Sequence, residues 1–157
     1  MNKTILGMAL IGLVLLGRAQ AADDWRQQGS DAVKMNNLIE VIPSTSDIMF
    51  QMGERYKNLY WAARQGKWEF TEYQMEEMQG LIRTLMITRP GRRITAQVFL
   101  DRGFTGIAEA IEHRNWSDFE RAFLEMRREC IACHSKNDHA FITLNRIPAK
   151  GGSPVLD

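Results

Sequence analysis

Cys130-Ile131-Ala132-Cys133-His134 constrains this chain more than any other stretch, because it holds the only two cysteines and places a histidine directly after the second. Cys-x-x-Cys-His is the attachment signature of a c-type haem. Two thiols one helical turn apart match the two vinyl groups of a porphyrin as thioethers. The adjacent imidazole then lies under the iron as an axial ligand. The expected cofactor is therefore one covalent haem c, held by Cys130 and Cys133, with His134 as an iron ligand.

Other uses of the pair fit less well. A thioredoxin-type redox disulfide opens a helix after a strand, and no strand–helix alternation surrounds residue 130. A structural zinc site needs four ligands, and only His113, His134 and His139 are available to join the cysteines, without a finger-like spacing. An ordinary disulfide gives His134 no role.

The N-terminus suggests export. Lys3 supplies a positive start, Ile5 to Leu16 is an apolar run, and Ala19-Gln20-Ala21 is a small-x-small cleavage site. Residues 1–21 are read as a secretory signal peptide cut after Ala21, leaving no stable membrane span. The run is short for a bilayer-spanning helix, and an uncleaved anchor is the competing reading. A periplasmic location suits the motif, since bacteria attach c-type haem outside the inner membrane. Removing Lys3 and Arg18 with the signal leaves eighteen basic and nineteen acidic residues. That balance points to neither a nucleic-acid nor an anionic-membrane partner.

The remainder reads as all-α. Residues 22–43 form an N-terminal arm, with a helical stretch over Ala32–Val41 bounded by Gly29 and Pro43. A first long helix follows Pro43, capped by Ser46 or Asp47, with Ile48, Met49, Met52, Tyr56, Leu59, Tyr60 and Ala63 at helical spacing. Gln65-Gly66-Lys67 closes it. A second opens at Thr71 with Gln74 as a capping box and ends before Pro90. A third, interrupted at Arg102-Gly103, runs from Ile94 to Glu112 or His113. A fourth, with Ser117 and Glu120 as its capping box, carries Phe119, Ala122, Phe123, Met126, Cys130 and Cys133 on one face. Pro148, Gly151, Gly152 and Pro154 mark an irregular C-terminal tail. Four helices with short connections predict an antiparallel four-helix bundle over residues 44–157, a fold that houses cofactors between its helices.

With one haem motif near the C-terminus, this arrangement resembles the class II cytochromes c, which include the cytochrome c′ family and its low-spin relatives. The resemblance is architectural and covers about residues 44–137. It implies covalent attachment at Cys130 and Cys133, His134 as proximal ligand, and homodimers through the first two helices. The chain departs from cytochromes c′ at Asn137 and Asp138, where they carry an aromatic and then a basic residue. Asp138 or a backbone carbonyl is then the expected acceptor for the His134 ring N–H.

By the same resemblance, a residue early in the first helix covers the sixth iron position, and Met49 falls there. A methionine there gives a low-spin electron carrier; an apolar residue gives a gas-binding protein. Met52 and Tyr56 are the neighbouring candidates, and any of these methionines also serves as core filler. Arg127, Arg128, Arg92 and Arg93 are candidate partners for haem propionates. Catalytic acid–base pairs and nucleophile motifs are absent, so no enzyme activity is assigned. The expected function is a periplasmic monohaem cytochrome carrying single electrons between redox protein partners. The alternatives are a five-coordinate haem protein binding nitric oxide or carbon monoxide, and the haem subunit of a periplasmic oxidoreductase.

Overall fold

The structure, a computed structural model, describes residues 29–153 together with 155 and 156. The expected signal peptide lies outside the described residues, as do residues 22–28 of the arm. Six α-helices and one 3-10 turn make up the regular structure among the described residues, with no strand. None of these helices is long and apolar enough to cross a membrane.

The chain divides between Val41 and Ile42 into two units. Of the first, the described part is α1 (Asp31–Glu40), which Ser30 caps by accepting from the Val33 amide. None of its residues is buried.

The second unit is helix packed on helix. α2 (Thr45–Arg64) is capped by Ser44, two residues before the earlier of the expected caps. The Ser44 hydroxyl accepts from the Asp47 amide, and the Asp47 carboxylate reaches back to the Ser44 amide at 2.9 Å. This reciprocal pairing satisfies donors at both positions, so the helix starts where it forms. α2 ends in a Schellman turn: Gly66 takes φ +72, its amide bonds Ala63 O, and Lys67 N bonds Ala62 O.

α3 (Trp68–Thr88) follows at once, three residues before the expected start. Thr71 and Gln74 are buried inside this helix and cap nothing. The Thr71 hydroxyl donates back to Lys67 O, and Gln74 accepts from Arg55 on α2. Pro90 enforces the end of α3 by pushing Arg89 out of helical geometry, to φ −136 and ψ 71.

After the turn Pro90–Arg92, the expected single interrupted helix is two: α4 (Arg93–Gly103) and α5 (Thr105–Glu112). Gly103 lies so close to the Phe99 ring that a Cβ there would stand 2.9 Å from it. α6 (Trp116–Lys136) is capped by Asn115, whose side chain accepts from the Asp118 amide; Ser117 and Glu120 lie inside the helix.

α2 packs along α3, and α6 against both α4 and α5. The first half of α6 turns its apolar face toward α2 and the start of α3. Phe119, Phe123 and Met126 are fully buried there. Phe123 stacks on Tyr56 at 4.6 Å between ring centroids, and Trp68 meets Phe119 edge-on at 6.3 Å. Offset and edge-on contacts of this kind add about 0.5–1.5 kcal/mol each beyond area burial.

Residues 137–153, with 155 and 156, lack regular structure but form a fastened strap. Tyr56 OH donates to Asn145 O, Trp61 Nε1 to Pro148 O, Gln65 Nε2 to Leu156 O, and Lys67 Nζ to Val155 O. Arg127 Nε donates to Leu144 O at 2.7 Å, and Leu156 is fully buried.

Candidate functional site

The second half of α6 differs from the first: Cys130, Cys133 and His134 are all half-buried. They line an apolar void with Met49, Met52, Gly53 and Tyr56 of α2, Met78, Ile82 and Leu85 of α3, Ala96 and Phe99 of α4, and Ile142 and Leu144 of the strap. Counted to its open mouth the void is about 790 Å³, and the centre of a water-sized sphere moves through about 190 Å³ of it. An adjoining void shares Met49, Cys133 and His134 and adds Arg92, Thr95, Asn137 and His139.

His134 is oriented from the strap. After α6 the chain turns through Asp138, at φ +66, with His139 N bonded back to His134 O. Ile142 N then bonds His139 O, and this second turn returns the chain to the imidazole. Ile142 O lies 3.1 Å from His134 Nδ1. A carbonyl only accepts, so Nδ1 carries the hydrogen and the lone pair is left on Nε2. That is the arrangement of a metal-ligating histidine with a backbone carbonyl as its outer partner. Asp138, the other acceptor expected for this ring, takes the left-handed position and is exposed.

Both cysteines are free thiols. Burial pushes the Cys130 thiol up to about 12, with Cys133 adding to the effect. Burial also raises Cys133, against the lowering influence of its hydrogen bond to Thr95. Redox-active and nucleophilic cysteines have depressed values, whereas burial shifts these two upward. Asn137 bonds Cys133 O at 2.8 Å and Thr95 Oγ1 at 2.9 Å, tying the end of α6 to α4.

The residues fit a haem better than a bare ion. Among the described residues no three His, Cys, Asp or Glu side chains gather as a metal site. A haem iron needs only one or two axial donors from the chain. The space is also prepared: Gly53 lines the void, and a Cβ there would meet nothing within 4 Å. Glycine within a helix costs about 0.5–1 kcal/mol relative to alanine, and here it leaves room beside the thiols.

Met49 and Met52 both face this space from α2, with Met52 the more buried. The Tyr56 hydroxyl is occupied by Asn145 O, and burial raises its pKa, which disfavours a phenolate ligand. His113 is exposed at the end of α5; His139 lines the adjoining void, with Nδ1 facing Asn137 O and its ring stacked on Phe141. Of the four arginines expected near propionates, Arg92 alone lines either void. Arg127 is engaged with Leu144 O, Arg128 pairs with Glu125, and Arg93 is exposed. Sequence reasoning missed Ile142, Leu144 and Gly53; the first two lie in a segment without periodicity, and an isolated helical glycine has no single meaning. No protein-family model, no curated protein and no solved structure matches this chain.

Proposed function

We propose that this chain is a monohaem c-type cytochrome of the class II kind, carrying single electrons between redox protein partners in the periplasm. In this reading α2, α3, α4 with α5, and α6 are the members of an antiparallel four-helix bundle. The observation that carries it is the convergence on one apolar void of both thiols of the Cys-x-x-Cys-His motif, an imidazole whose Nδ1 is bonded to Ile142 O, and the thioethers Met49 and Met52.

When bound, haem supplies a one-electron iron(III)/iron(II) couple. The chain's own residues do the rest. Cys130 and Cys133 would hold the group by thioethers, and His134, kept in orientation by Ile142 O, would offer Nε2 to the iron. Met78, Ile82, Leu85 and Phe99 give the site apolar walls that exclude water. Met49, which lines the same void, would offer its thioether as a second donor to the iron.

The test is expression of the full chain in a host competent for haem attachment, followed by a haem stain on a denaturing gel and a visible spectrum. Covalent haem, a sharp low-spin reduced spectrum and indifference to carbon monoxide support the carrier. Met49→Ala should then abolish the methionine–iron charge-transfer band. A high-spin spectrum that shifts with carbon monoxide replaces the carrier with the gas-binding alternative. No haem in such a host overturns the proposal.

A further inference from the structure

The carbonyl that accepts from His134 lies in a segment that no helix contains, so something else must hold Ile142 O in place. Two side chains do so immediately downstream. Arg127, one turn before Cys130 on α6, donates through Nε to Leu144 O at 2.7 Å. Tyr56, on α2, donates to Asn145 O at 3.0 Å. These carbonyls follow Ile142 by two and three residues, and the His139–Ile142 turn fixes the chain on its other side. The remaining fastenings, from Trp61, Gln65 and Lys67, engage Pro148 and beyond.

We propose that Arg127 and Tyr56 are positioning residues for His134, acting through residues 142–145, whose Ile142 carbonyl orients the imidazole and raises its electron donation. This rests on the haem reading above. It gives Arg127 a different task from propionate pairing: its Nε–H serves the strap. An acceptor on the outer nitrogen of a ligating histidine makes the ligand more basic, which favours the oxidised metal. Releasing the strap therefore raises the midpoint potential.

The sign separates this role from a simple charge effect. The oxidised site carries one more positive charge than the reduced one, so deleting a nearby cation stabilises it and lowers the potential. Arg127→Met makes the two effects oppose each other.

The experiment uses the full chain with haem attached, as wild type, Arg127→Met, Arg127→Lys, Tyr56→Phe and Trp61→Phe. The midpoint potential is read by spectroelectrochemical titration. The expected result is a rise for Arg127→Met, of the order of a tenfold change in the reduced-to-oxidised ratio, about 59 mV for one electron. Tyr56→Phe should rise in the same direction, and Arg127→Lys, which keeps a donor, should fall between wild type and Arg127→Met. Trp61→Phe, which frees only Pro148 O, should match wild type. A lowered or unmoved potential in Arg127→Met, with Tyr56→Phe, which changes no charge, also unmoved, overturns the inference. If that variant fails to fold, an unmoved Tyr56→Phe does the same. Wild type without covalent haem overturns the functional reading and this inference together, whereas haem present with unmoved potentials overturns the inference alone.

Discussion

The two halves of α6 follow one apolar period but meet different surroundings. Phe119, Phe123 and Met126 are enclosed completely, in a stack of rings shared with Tyr56, Tyr60, Trp68 and Trp116. Cys130, Cys133 and His134, further along, border a void. Periodicity reports which face turns inward, not whether side chains fill the space it faces. The filled half supplies contacts that hold the helices together. The other half turns its thiols and imidazole toward the space that a cofactor would fill.

That contrast is open to direct attack. Phe123→Ala should be the most damaging change, about 3–5 kcal/mol, because it opens a cavity in the filled half; a denaturation midpoint close to that of the wild type would erase the distinction between halves. Gly103→Ala should cost about 1–3 kcal/mol by overpacking, since its Cβ must displace the Phe99 ring on the wall of the void. A thermal melt on the purified variant tests this.

Ser44→Ala removes the cap of the helix that brings Met49 to the site and should cost about 1 kcal/mol. It also has a pH signature. The Ser44 hydroxyl, and then its amide, hold the Asp47 carboxyl below the usual carboxylate range. A depressed folded-state value stabilises above the unfolded one and is lost as pH falls through the folded value. The stability gap between wild type and variant should accordingly narrow in acid. Gly53→Ala is the smallest change and opposite in sign: a gain of about 0.5–1 kcal/mol in the haem-free chain from better helix propensity, with nothing in the way. The bulkier Gly53→Leu should intrude on the void and reduce the haem attachment proposed above, measurable by mass.

Much of the helical layout is legible in the sequence, and the reasons for the misses are physical. Apolar stripes mark α2, α3 and α6, and Pro90 stops α3 by a steric rule that tolerates no exception from context here. The helix starts are harder. Thr71 with Gln74 and Ser117 with Glu120 have capping-box spacing, yet all four lie inside helices, because an S/T-x-x-E/Q pattern also occurs wherever polar residues share a helix face. Helix ends show the same limit. Three helices close with a left-handed residue, at Gly66, Arg114 and Asp138. Only the glycine advertises that conformation, which costs other residues energy and is therefore unexpected for them. The Cys-x-x-Cys-His motif names its own three residues, but Ile142 contributes its main chain, and no side-chain pattern encodes which carbonyl will return to an imidazole.

The strap's fastening has a consequence for what changes the tail can absorb. Tyr56, Trp61, Gln65, Lys67, Arg127 and His134 all donate to main-chain carbonyls of residues 142–156. Every residue type offers such a carbonyl. Composition along the strap is thus constrained chiefly at the buried Pro148 and Leu156 and at Ile142 and Leu144, which line the void. Its length is constrained throughout. Deleting a single residue between Ile142 and Asn145 would put each later carbonyl out of step with its donor, whereas exchanging most other side chains of the strap would leave the connections intact.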